Sequence, residues 1–447
     1  MWKVIIVGVI LGLFLLTGCS NDNNTNPPEK QTASFTVRIE NVAAAKQFLN
    51  SGVFDTPAGA NQPGPAGPGA AYEFTFNAAP GSKLSFATMF VQSNDFFFAP
   101  DEGGIDLYDN AGNPISGDVT SQVFLWDAGT EMNQEPGVGA DQAPRQSAPN
   151  TGSADPDNTV RLAPDTFNNL PAVNQVIQVT LTAMSANSFM VRIENISDST
   201  TLSLSTGGSV AVPLAPGVFV VHTADAPLFT PGQPDPGMGL EGLAEDGAAA
   251  TLGNNLAAET GITQIMAPGV WAVHTGADPL FTNGQADRGD GLEALAEDGN
   301  PGPLSSAIAA QNGIVSSGVF NTPVGSGAPG PLTPGSAYEF TFTASEGEML
   351  SFATMFVQSN DLFYAPDGNG IELFQNGSAV SGDVTAQIML WDAGTETNEL
   401  PGFGLNQAPR QSGPDTGMDE NGVVQPVNDG FTYPAVSDVI KVTITAQ

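Results

Sequence analysis

The chain repeats itself. LSFATMFVQSND stands at 84–95 and again at 350–361, identical at all twelve positions. AYEFTF (71–76, 337–342), SGVF (51–54, 317–320), WDAGTE (126–131, 391–396) and QAPRQS (142–147, 407–412) recur in the same order. Segments so alike must fold alike, so any architecture has to contain the same unit twice. The copies close with QVIQVTLTA (175–183) and DVIKVTITA (438–446) and open with SFTVRIEN (34–41) and SFMVRIEN (188–195). This spacing predicts one domain over 34–184 and a second over 187–447. The openings lie 154 residues apart, against 266 for the central motifs, so the second copy contains roughly 110 additional residues just after its first strand.

Those additional residues are a tandem of their own. APGVFVVHT (215–223) returns as APGVWAVHT (267–275), and LAEDG (243–247) as LAEDG (295–299), both 52 residues on. Each unit, 212–262 and 264–313, reads as an apolar strand, a PLFT turn and a helix. In the second unit Leu292, Leu295 and Ala296 fall at i, i+3 and i+4 before Gly299, and Leu304, Ala307, Ile308 and Gln311 predict a further helical stretch before Gly313. On these boundaries the first copy lacks the unit and the second has it twice. Either both units stack on the second copy, or the first unit packs at the junction and covers the first copy through Leu228, Phe229, Leu240 and Leu243.

The rest is strand-like. Phe35, Val37 and Ile39 alternate with Thr36, Arg38 and Glu40, and Ile177, Val179 and Leu181 with Gln178, Thr180 and Thr182, the period of half-buried antiparallel strands. LSFATMFV is apolar on both faces, as a central strand is. The 52 Gly and 35 Pro favour short strands joined by many turns, and 55–70, 132–170 and 397–433 read as long loops. The expected fold is mainly β: two antiparallel β-sandwich domains, the second with a duplicated strand-helix insertion.

Charge and reactive residues exclude several functions. Eleven Lys and Arg against 47 Asp and Glu give a net charge of −36, a surface that repels phosphate backbones, so nucleic acid is not an expected partner. One Cys and two His cannot build a zinc site of several such ligands, and no disulfide can close within the chain. The Cys has another explanation. Lys3 precedes Val4–Leu16, 13 apolar residues too short to span a bilayer, and Leu16-Thr17-Gly18-Cys19 follows. This resembles the lipobox of bacterial lipoproteins, which implies cleavage before Cys19 and lipidation of its thiol. Residues 1–19 are then a signal peptide and 20–33 a polar tether. Ser20 after the Cys implies an outer-membrane protein of the bacterial envelope, held to the membrane by its lipid.

Three acids recur in both copies: Asp95, Asp127 and Glu131 in the first, Asp361, Asp392 and Glu396 in the second. Asp127 and Glu131 bracket a turn whose Gly129 tolerates unusual backbone angles, and Asp95 ends a neighbouring strand. Converging carboxylates need a hard cation, and calcium, taking six to eight oxygens, suits them. Solvated loop acids, with Asp127 capping the turn, are the plainer reading of the same spacing.

FATMFVQSND, LWDAGTE and a closing YP…V–VI-VTITA strand resemble the spondin N-terminal domain of F-spondin and mindin, most nearly its bacterial relatives. The HT…LF…GLEALAEDG unit is similar to a segment near the start of that domain. The resemblance covers about 187–446 in full and 34–184 without that segment. It implies an antiparallel sandwich with one bound calcium, held in each copy by the three acids above, and a role in attachment or recognition. This chain departs from the animal proteins in having Glu at the last acidic position and no Cys after Cys19.

The expected function is an exported, lipid-anchored, calcium-binding surface protein that adheres to an extracellular protein or glycan, without catalysis. One alternative is a calcium-dependent carbohydrate-binding module, which needs exposed aromatics beside Asp127 or Asp392. Trp126 and Trp391 are placed for that role or for packing beneath the turn. A hydrolase is less favoured. His222 and His274 would have to serve it, no G-x-S-x-G occurs, and the first copy keeps its acids without any His. The Glu245-Asp246 pair resembles glycosidase carboxylates, but neighbours at a helix end are usually solvated.

Overall fold

The computed structural model describes residues 30–447. Cys19, the signal peptide and most of the tether lie outside the described residues. No helix among those described is long and apolar enough to cross a membrane. The structure is mainly β and built of antiparallel sheets, as expected.

Each sandwich has a small and a large sheet. In the first, the small sheet runs Ala71–Asn77, Ser188–Asn195, Ile177–Ala183, Gly117–Asp118. The large one runs Asn50–Phe54, Leu214–His222, Lys83–Phe90, Phe96–Pro100, Val123–Asp127, Arg161–Leu162. The second sandwich repeats this order, with Ala337–Ser345, Thr32–Asn41, Ile440–Ala446 and Gly382–Asp383 facing a large sheet centred on Met349–Phe356. Aromatic side chains fill the space between sheets. Phe74 stacks on Phe219 at 4.3 Å in the first sandwich, and Trp271 on Phe340 at 5.3 Å in the second.

The domain boundaries differ from those the repeats predict. Strand Thr32–Asn41, which opens the first copy, lies in the second sandwich, between Ala337–Ser345 and Ile440–Ala446, with Phe35 opposite Phe342 and Ala446. Strand Ser188–Asn195, which opens the second copy, takes the equivalent place in the first sandwich, with Phe189 opposite Phe76 and Ala183. The cause is local. Only Met184–Asn187 separate Ile177–Ala183 from Ser188–Asn195, and so short a connection closes a hairpin. With that hairpin made, the slot beside Ile440–Ala446 falls to the nearly identical strand at the N-terminus. The first sandwich is thus built from about 48–262, and the second from 32–41 with about 264–446. One order is a circular permutation of the other.

This permutation balances the tandem units, one to each sandwich. Leu214–His222 is a strand of the first large sheet, paired with Asn50–Phe54 and Lys83–Phe90. Helices α1 (Leu240–Asp246) and α2 (Ala249–Ala258) cover that sheet's outer face. Leu228, Phe229, Leu240 and Leu243 pack there with Ala87, Phe97, Trp126 and Val160, so the first unit does cover the first copy. In the second sandwich α3 (Leu292–Asp298) and α4 (Gly302–Ala309) do the same over Ala353, Phe363 and Trp391. This third layer is why LSFATMFV is apolar on both faces: the strand is covered by the opposing sheet on one side and by helices on the other.

Candidate metal centres

The large sheet delivers the acids of the first sandwich to one end. Asp95 precedes strand Phe96–Pro100 and Asp127 ends Val123–Asp127, with Phe96 paired to Asp127 across the ladder. Asp127 Oδ1 accepts from Gly129 N (2.8 Å) and Oδ2 from Asn133 Nδ2 (2.7 Å), which closes the turn. Gly129 has φ +71°, and a Cβ there would lie 2.5 Å from Thr159 O, so the turn admits only glycine. Asp95 Oδ2 accepts from Thr130 N (2.8 Å), Thr130 Oγ1 (3.2 Å) and Glu131 N (3.1 Å). Glu131 takes Asn94 Nδ2 (3.1 Å) and, through Oε1, Gly152 N (2.7 Å). The second sandwich reproduces these bonds. Asp392 accepts from Gly394 N at 2.7 Å, Asp361 from Thr395 N at 2.8 Å, and Glu396 from Gly417 N at 2.8 Å.

Asp127 departs from the ligand role the resemblance implies. Arg161 Nη2 lies 2.9 Å from its Oδ2, so it is already paired with a cation. Gln425 replaces Arg161 opposite Asp392, which keeps only the amide bond equivalent to that of Asn133, from Asn398 at 2.9 Å. Neither predicted triad brings three acidic oxygens into mutual ligating reach. Among the described residues, the acidic trio with oxygens all within 4.8 Å of one another is Glu293, Glu297 and Asp415.

A buried acid absent from the predicted set lies close enough to the first centre to feel the charges of Glu131 and Asp95. Glu245 on α1 is 1% exposed, not solvated, and neither of its carboxylate oxygens has a hydrogen-bond partner. Asp95 Oδ1 is likewise buried and unpartnered. The same holds for Glu297 on α3, 2% exposed, and for Asp361 Oδ1. The sequence carried a signal for these glutamates: LAEDG recurs unchanged, and Glu directly follows the apolar Leu-Ala of the buried helix face.

Burial sets the ionisation of these groups. It pushes Asp95 up to about 7, with the Asp127 charge adding to the effect and three hydrogen bonds from the Thr130 and Glu131 region opposing it. Asp361 is likewise raised to about 7, by burial and then by Asp392. Glu245 and Glu297 rise to about 8, again chiefly by burial; the nearby Thr130 and Thr395 side chains oppose the rise, and the charges of Glu131, Glu241 and Asp95 add to it on the first and of Glu396, Glu293 and Asp361 on the second. No basic side chain acts on any of the four. An unpaired buried carboxylate is costly, so each centre must hold either protons or a cation.

The aromatic and histidine positions resolve simply. Trp126 and Trp391 lie buried beneath the turns, edge-on or tilted against Phe229 (4.9 Å) and Phe281 (4.8 Å). They offer no exposed platform for a sugar ring. His222 Nδ1 donates to Ala224 O (2.5 Å) and its Nε2 accepts from Ser85 Oγ (2.9 Å); His274 bonds Gly276 O and Ser351 Oγ (2.9 Å) in the same way. A carbonyl orients each ring where a triad has a carboxylate, and the crevice beside Ser85 has no room for a water molecule. Burial pulls both imidazoles below their usual range, which keeps them neutral structural bridges.

In comparisons with known proteins, the chain matches no family model and no curated protein.

Proposed function

We propose that this chain is a calcium-bearing surface protein of the bacterial envelope, lipid-anchored through Cys19, that adheres to an extracellular protein or glycan and has no catalytic role. The observation that carries the reading is the set of orphaned acidic oxygens, Asp95 Oδ1 with Glu245 and Asp361 Oδ1 with Glu297, buried at equivalent places in both sandwiches. Hard oxygen donors without a basic partner fit calcium. Asp95 and Glu245 would contribute to holding it in the first centre, and Asp361 and Glu297 in the second, with loop oxygens and water supplying the rest of the shell. Asp127 and Asp392 shape the turns that present them. The ion would fix the loop ends rigidly for recognition. The lipobox and the resemblance to spondin N-terminal domains support the surface role.

Calorimetry is expected to find calcium in both sandwiches. A hundredfold excess over Kd should stabilise each by about 2.7 kcal/mol. Asp95→Asn should weaken uptake in the first sandwich and leave the second intact, and Asp361→Asn the reverse. Absence of uptake, with melting unchanged by a chelator, would refute the reading. Binding to an array of matrix proteins and glycans should depend on calcium. For the anchor, Cys19→Ser should give protein without acyl chains, read by mass spectrometry of the membrane fraction; acylation at another residue would contradict the assignment.

A further inference from the structure

The two centres are not equal at the surface. In the first sandwich α1 presents Glu241 beside Asn150, whose Nδ2 donates to Glu241 Oε1 at 3.1 Å. In the second, Asp415 replaces that Asn and faces Glu293, the counterpart of Glu241. Both positions have the same left-handed backbone, φ 50° for Asn150 and 53° for Asp415, so the exchange of amide for carboxylate occurs on an unchanged loop. A neutral hydrogen bond in one sandwich becomes a pair of facing acids in the other. Buried Glu297 turns its unpartnered carboxylate toward this pair, one oxygen from each of the three lying within 4.8 Å of the others. Asp290 adds a further acid at the rim, where the first sandwich has Met238, and one Arg288 nitrogen stands 3.9 Å from it. A surface cavity of about 340 Å³ opens onto these residues.

We propose that Glu293, Glu297 and Asp415 form a solvent-reached site for a hard divalent cation, calcium or magnesium, that only the second sandwich possesses. Three facing carboxylates without a basic residue among them repel one another unless a cation lies between them, and a half-open arrangement of oxygens suits an ion that keeps part of its water shell. The site is additional to the interior centres, although it shares Glu297 with the second of them. It gives the duplicated protein two unequal sandwiches, one with a metal position facing solvent, where a carboxylate or hydroxyl of a bound partner can replace water.

The test is ion stoichiometry, by calorimetry with calcium chloride and again with magnesium chloride, on the mature protein and two variants. Asp415→Asn installs the residue the first sandwich already carries on this loop, and Glu293→Gln removes a second ligand without loss of volume. Each variant should bind one ion fewer than the parent while keeping its circular dichroism and melting in chelator no lower than the parent does. Retention of that ion by either variant overturns the site. The interior centres are judged separately: if they fail and this site stands, the parent binds a single ion and both variants none. If this site fails and they stand, all three proteins bind the same number.

Discussion

Phe35→Ala is expected to destabilise the second sandwich by about 3–5 kcal/mol and leave the first untouched. The residue is fully buried and meets Phe342 and Phe374, each at 5.6 Å. Its strand is paired on both edges, so losing the ring opens a cavity at the centre of the small sheet. Hydrogen exchange reads the outcome by segment. Protection should fall in 337–345 and 440–446 and persist in 71–77 and 177–183. Phe189→Ala should give the mirror image, because Phe189 stacks on Phe76 at 5.8 Å in the first sandwich. Loss of protection in 177–183 on mutating Phe35 would mean that the opening strands pair within their own sequence copies, contrary to this fold.

In chelator, stability is expected to fall as pH rises from 7 to 8.5, and calcium is expected to abolish the fall. Asp95 and Asp361, at about 7, and Glu245 and Glu297, at about 8, hold their protons more tightly folded than unfolded. Stability from a raised carboxyl is complete below its unfolded pKa and is lost as pH climbs through the folded one. Each glutamate therefore contributes a slope of about 1.4 kcal/mol per pH unit up to about pH 7, falling to about half of that at 8 and vanishing above it. The histidines act oppositely and elsewhere. Their folded pKa values are depressed, so their contribution is present above about 6.5 and is lost only as pH falls below it. Working above pH 7 separates the two. Glu245→Gln should remove part of the slope, and a flat profile between pH 7 and 8.5 in chelator would show that these carboxyls are not held protonated.

Much of this architecture is legible in the sequence. Alternation in SFTVRIEN and QVIQVTLTA marks strands with one covered face, and Phe35, Val37, Ile39, Ile177, Val179 and Leu181 are all buried. The Leu292, Leu295, Ala296 spacing marks a helix that does end at Gly299, with φ +63°. The acids at 95, 127 and 131 stand out as a group because SND and WDAGTE recur together in both copies; Asp127 closes its own turn around Gly129, whereas Asp95 reaches that turn from 35 residues away. The ligand set was not legible. Whether Asp127 is free depends on Arg161, 34 residues away in sequence and beside it in the ladder. Whether Glu245 is solvated depends on how α1 lies over Lys83–Phe90 and Phe96–Pro100, strands more than 100 positions earlier.

The sequence by itself determined what each segment is, because strand and helix periodicity, turn glycines and apolar faces are properties of neighbours along the chain. It also determined that there are two equivalent units. Only the tertiary structure decided which copy of a segment belongs to which unit. SFTVRIEN and SFMVRIEN match at seven of eight positions and fit either sheet equally well, so no side-chain preference assigns them. The assignment comes from chain connectivity. Four residues can close a hairpin between 183 and 188, and once that ladder has formed, a single slot remains for the N-terminal strand. The same closure sends the first strand-helix unit to the first sandwich and places Glu245 over Asp95.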